Sequence, residues 1–169
     1  MIEAAILVVF PMLVAFGGAS DLLTMTIRNR VSVLLIFGFC LLAFAVGLSL
    51  QDWGYHLLGL VVVFVPCFAF FAFGWMGGGD VKMISAVALW FGYSQTLIEF
   101  LFVLAVYGML LTLGILFVRY SIAAPAFLAR QEWFARLYDT KSGIPYGIAI
   151  ALAALKTYSP DYWFGLVAS

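Results

Sequence analysis

Apolar residues fill six long stretches of this chain, at 4–20, 31–50, 55–74, 81–91, 97–118 and 143–158. Most approach the ~20 residues that a helix needs to cross a hydrocarbon core. The fourth is short and must borrow flanking residues, tilt, or stop short of a full crossing. Of 169 residues, 66% are hydrophobic and 9% charged, whereas a soluble domain is about half apolar and about a quarter charged. A soluble core of this length cannot hide that much apolar surface, so lipid is the expected solvent for most of it. The fold class predicted is an all-α integral membrane protein with about six transmembrane helices, forming one polytopic domain over residues 1–169.

Basic residues orient this layout. Arg28, Arg30, Lys82, Arg119, Arg130, Arg136 and Lys141 all fall on one side of a six-span chain, and only Lys156 falls toward the other. The positive-inside rule makes the first side cytoplasmic and puts both termini outside. The N-terminus, MIEAAILVV, carries Glu3 and no basic residue before its apolar run, so it reads as a retained first span rather than a cleaved signal. Net charge is zero with the cations dispersed, so no nucleic-acid partner is expected. Cys40 and Cys67 lie apart in apolar runs without a CxxC pattern, which predicts packing residues and neither a metal nor another cofactor. His56, beside Trp53 and Tyr55, reads as an interfacial side chain without chemistry. In the loop between spans 5 and 6, Phe127, Trp133, Phe134 and Leu137 share a helical face opposite Arg130 and Glu132. A helix lying in the cytoplasmic interface accounts for that pattern. Its simpler role is a connector covering helix ends; its functional one is a platform for a substrate.

Glu3, Asp52, Asp161, Glu99, Glu132 and Asp139 are explained by solvation at helix ends and loops. Asp21 and Asp80 are different. Asp21 follows span 1 directly (AFGGASD) and Asp80 opens span 4 directly (GGGDVKM), so both are expected at the same edge of the bilayer. A carboxylate at membrane depth is costly and marks a functional site by default. Neighbouring small residues, Gly17 and Gly18 before one and Gly77, Gly78 and Gly79 before the other, allow close backbone approach. Two carboxyl groups held together share one proton more readily than they carry two charges. Such a pair suits hydrolysis: the ionised acid takes a proton from water while the neutral one protonates the carbonyl. Two structural readings compete. Asp80 could cap span 4 or pair with Lys82, and Asp21 could pair with Arg28.

The Gly77–Asp80 segment resembles the GxGD motif of intramembrane aspartyl proteases, and its surroundings are most similar to the prepilin peptidases. In that family a second aspartate ends span 1 and is followed by Ile-Pro-Asn. Here Asp21 and Ile27-Arg28-Asn29 stand in that register, with Arg28 replacing the proline. A late Ile-Pro-aromatic-Gly element matches Ile144-Pro145-Tyr146-Gly147. The resemblance implies that Asp21 and Asp80 are the catalytic acids, and that Gly77, Gly78, Gly79, Asn29 and Pro145 belong to motif loops that admit the substrate. It further implies a membrane-embedded endopeptidase in the inner (plasma) membrane. The partner would be a prepilin-like protein with a short basic leader and an apolar helix, cut at the cytoplasmic face, with membrane lipid around both. Only about ten residues separate Asp21 from span 2 and paired cysteines are absent, which resembles the short cleavage-only branch of Flp/Tad-type pilus systems. Archaeal preflagellin peptidases are similar and remain an alternative. Presenilin-like enzymes carry Tyr-Asp where this chain has Ser20-Asp21. From the residues alone, a small transporter or a passive scaffold subunit is the rival. The span interiors hold few polar residues, which speaks against an ion path.

Overall fold

Helix formation follows the apolar stretches, because a backbone in lipid must satisfy its own hydrogen bonds. The computed structural model describes residues 2–121, 132–139 and 142–168. Their elements are α1 (Ile2–Thr24), α2 (Asn29–Ala45), α3 (Leu50–Ala72), α4 (Gly78–Phe91), α5 (Gln95–Ser121), α6 (Glu132–Tyr138), α7 (Tyr146–Thr157) and α8 (Asp161–Ala168). No strand occurs among the described residues. Three helices, α1, α3 and α5, are long and apolar enough to cross a membrane. Their outward faces carry exposed Val8, Met12, Phe16, Val65, Phe68, Phe102, Leu113 and Phe117. Water would make so much exposed apolar surface unfavourable, whereas acyl chains solvate it. The chain is therefore an all-helical membrane protein.

One short helix, α4, sits inside this shell, whereas α2 also exposes apolar residues such as Phe37 and Phe44. α4 has 14 residues, about 21 Å at 1.5 Å per residue, and its whole run from Met83 to Phe91 is buried. Protein, not lipid, surrounds it: α3, α2 and α7 all pack on α4. Its length is therefore freed from the bilayer thickness that sets the outer helices. α1 in turn packs on α7 and α2, and α5 leans chiefly on α7.

α8 lies beyond the six apolar stretches of the sequence. Its Trp163 is fully buried and meets Trp90, Phe39 and His56 at ring-centroid distances of 5.6, 5.8 and 5.9 Å. His56 corrects the interfacial reading. It is 3% exposed, with Nδ1 2.7 Å from the Leu89 carbonyl and Nε2 3.2 Å from the Tyr162 hydroxyl. The carbonyls at the end of α4 lack helical partners, and His56 satisfies one of them.

Of the loop between spans 5 and 6, α6 contains Trp133, Phe134 and Leu137, each half-buried. Phe127, Arg130 and Lys141 lie outside the described residues. Arg119, near the end of α5, donates from Nε to the Leu137 carbonyl at 2.7 Å and from a terminal nitrogen to the Gly143 carbonyl at 3.1 Å. This side chain thus joins the end of α6 to the segment that enters α7.

Candidate active site

Asp21 lies in the last turn of α1 and is 5% exposed. One carboxylate oxygen, Oδ2, accepts a hydrogen bond from the Gly147 N–H at 2.7 Å. Gly147 is the second residue of α7, so its N–H is one of the donors a helix N-terminus leaves without an internal partner. A Cβ at Gly147 would stand 2.7 Å from Asp21 Cβ and 2.8 Å from Oδ2. One turn earlier, a Cβ at Gly18 would meet Ala151 Cβ at 2.6 Å. The α1–α7 seam is thus built from residues too small to keep the backbones apart, and the Asp21–Gly147 bond depends on it.

After Asp21 the chain turns sharply. Met25 adopts φ 54°, and its N–H bonds the Asp21 carbonyl at 2.7 Å. A left-handed residue after a helix is a common terminus, yet glycine usually fills it. The Ser20 and Thr24 hydroxyls each lie 3.2 Å from the Thr26 carbonyl and help hold the turn.

Asp80 is half-buried in the first turn of α4. Gly77 precedes the helix, and the Asp80 carboxylate folds back against it: a Cβ at Gly77 would stand 2.8 Å from Asp80 Oδ2. An acid in the first turn, folded back on the residue that starts the helix, fits the capping role expected of Asp80. Pairing with Lys82 does not fit: Lys82 Nζ instead donates to Asn29 Oδ1 at 2.9 Å. Asp21 likewise makes no ion pair with Arg28 among the described residues. Gly79 brings the two motif segments together. A Cβ there would stand 3.1 Å from Ile27 Cβ, so the start of α4 rests directly on the turn that follows Asp21. Gly78 faces the Phe71 ring instead, which a Cβ would approach to 3.2 Å.

Both aspartates line one cavity of about 720 Å³, and they lie within electrostatic reach of each other. Gly77, Trp75 and Met76 form part of its lining, with Ile84 from α4, Leu104, Gly108 and Met109 from α5, and Tyr146 and Ile150 from α7. Pro145 is buried immediately before α7 and does not line it. Asn29 is exposed at the start of α2, also outside the cavity. Asn29→Ala is accordingly expected to lower the peptidase activity proposed below by less than about threefold, as surface substitutions rarely change more than ~0.5 kcal/mol. An initial-rate comparison checks this.

Sequence reasoning missed part of the wall. Tyr146 OH and Thr112 Oγ1 are 2.8 Å apart, and the Tyr146 ring lies 3.1 Å from where a Gly108 Cβ would be. Gly108 and Thr112, four apart on α5, form a small-residue notch visible in span 5, but nothing in the pattern names its occupant.

A buried carboxylate at the end of one helix and a second at the start of another thus open on one cavity, which makes the pair a candidate site for acid–base chemistry. The comparison with known families agrees. The sequence model of the type IV leader peptidase family matches residues 7–113, more than half of the chain, and this protein belongs to that family. The matched region holds Asp21, Asp80 and the glycines beside them, and it stops before the Pro145–Gly147 element. No curated protein and no solved structure matches the chain.

Proposed function

We propose that the protein is an aspartyl endopeptidase that removes the short basic leader of a type IV prepilin-like protein at the cytoplasmic membrane face. The observation that carries this reading is the single cavity lined by both Asp21 and Asp80. The family supports a leader peptidase in general; the two acids supply the mechanism. The Gly147 N–H holds the Asp21 carboxylate, and the Asp80 carboxylate lies against Gly77. With one proton between them, the ionised acid accepts a proton from water as the water oxygen bonds to the scissile carbonyl carbon. The other acid donates its proton to the carbonyl oxygen. When the tetrahedral diol collapses, one hydroxyl returns its proton to the second acid as the carbonyl re-forms, the C–N bond breaks, and the amine leaves carrying the proton held by the first acid.

The six-span topology with both termini outside gives this chemistry its place. The substrate's apolar helix stays in the bilayer, its leader stays in the cytoplasm, and the scissile bond meets the level of the two acids. The plasma (inner) membrane is the corresponding location, and the chain acts as one cleavage domain. Gly77 and Gly79 let the substrate backbone lie close to Asp80. A liposome assay with a synthetic prepilin bearing a basic leader and an apolar helix tests the reading. Mass spectrometry should find one cut between leader and helix; intact substrate across a panel of such leaders would sink it.

A further inference from the structure

A second cavity, of about 420 Å³, opens at the opposite end of the bundle from the aspartates, between the start of α3, the end of α4 and the α7–α8 junction. Its size falls within the range of small-molecule sites. The peptidase reading makes no use of it, and nothing below depends on that reading.

The hydrogen bonds around this cavity fix what it can offer. A carbonyl only accepts, so His56 must donate from Nδ1 to Leu89 O, which leaves Nε2 bare. The Tyr162 hydroxyl therefore donates to Nε2 across 3.2 Å. Tyr158 spends its hydrogen on the Ile6 carbonyl at 2.8 Å, and Ser94 on the Phe91 carbonyl at 2.9 Å. Ser159 donates to Asp161 at 2.6 Å, and the Trp90 indole donates to the Leu35 carbonyl at 2.9 Å. Six lining side chains thus turn their polar hydrogens into the protein and leave lone pairs or ring faces behind.

Charge points the same way. Asp52 is the one charged side chain in the lining; its Oδ2 takes the Ser49 hydroxyl at 2.6 Å, and Oδ1 has no protein partner among the described residues. No Lys or Arg among the described residues lines the cavity; Lys156, two residues before Tyr158, is exposed and outside it. The rings of Tyr93 and Tyr162, 58% and 47% exposed, stand in the lining with the buried Trp163. A carboxylate, acceptor oxygens and aromatic faces together favour a cation that carries donors or a diffuse positive charge. An anion or a pure acceptor would find no donor from these six side chains, only the hydroxyls of Tyr55, Tyr93 and Thr96, and an anion would face the Asp52 carboxylate.

We propose that this cavity binds a compact organic ammonium ion, with Asp52 as counter-charge and the tyrosine and tryptophan rings as walls. The amine headgroup of a lipid and a free small amine share this chemistry. The test uses the full chain in maltoside micelles, titrated with tetramethylammonium at constant ionic strength and followed by tryptophan fluorescence. The expected result is saturation with a dissociation constant of millimolar order and no saturation by uncharged tert-butanol. Asp52→Asn keeps a side-chain acceptor for the α3 cap but removes the counter-charge, and should weaken binding about tenfold, the scale of a contact Coulomb attraction between its water and protein-surface limits. Tyr93→Ala removes an exposed ring without touching His56 and should weaken it severalfold. No saturable response, an equal response to tert-butanol, or unchanged affinity in both variants would overturn the site. In nanodiscs, a higher half-saturation with phosphatidylethanolamine than with phosphatidylglycerol assigns the occupant to lipid. Equal values assign it to a free amine, and the site stands in both cases.

Discussion

Gly147→Ala is expected to lower cleavage at least about a hundredfold and to reduce stability by roughly 1–3 kcal/mol, the range for overpacking a filled interior. The added methyl would stand 2.7 Å from Asp21 Cβ and 2.8 Å from Oδ2, closer than real Cβ contacts come. α7 or the end of α1 must therefore shift, and the 2.7 Å bond from Gly147 N–H to Asp21 goes with it. Relief by moving one flexible side chain is not open, because neighbouring Gly18 already brings α1 within 2.6 Å of Ala151 Cβ by the same measure. Displacing a catalytic group by about 1 Å can itself cost a factor of about a hundred. Thermal melting in detergent and initial cleavage rates report the two effects separately. Wild-type rates in a folded Gly147→Ala protein would show that the Asp21–Gly147 bond does not hold the acid in its working position.

Asp21→Asn and Asp80→Asn are each expected to lower cleavage by about a thousandfold or more, within the range a general acid or base contributes. Asparagine keeps the size of the side chain but can neither take a proton from water nor share one with its neighbour. The fold should survive both changes. In Asp21→Asn the new amide oxygen can still accept the Gly147 N–H. Asp80→Asn keeps the size of the side chain at the start of α4, losing only the charged part of a helix-start interaction worth about 0.3–1 kcal/mol. Unchanged circular dichroism with lost cleavage is the expected pattern. By contrast Asn29, bonded to Lys82 away from the cavity, should tolerate alanine, which separates the two proposed catalytic acids from polar neighbours in the same motifs.

The physics that made residues legible in the sequence was local. Lipid demands apolar runs, and each run is largely helical in the structure. Asp21 and Asp80 stood out because a carboxylate beside glycines at a span edge needs a reason. What stayed hidden was tertiary. α4 is short because other helices, not lipid, surround it. α8 lies outside the six apolar stretches, and only the structure shows Trp163 packed against Trp90 and Phe39. His56 has aromatic sequence neighbours typical of an interface, but its partner, the Leu89 carbonyl, lies 33 residues away. Gly147 was visible only as a motif letter; the reason for it is a carboxylate 126 residues distant. Asn29 and Pro145 were carried in with the motifs, and neither lines the cavity that holds the acids.

The central claim is that Asp21 and Asp80 act as one unit. It is tested most directly by comparing single-turnover cleavage of a prepilin by Asp21→Asn, Asp80→Asn and the double variant, with the cut mapped by mass spectrometry. Groups that share one step are strongly non-additive, so the double variant should be no slower than the slower single variant. Losses that multiply, or a single variant that cuts at the wild-type rate, would contradict the paired-acid account.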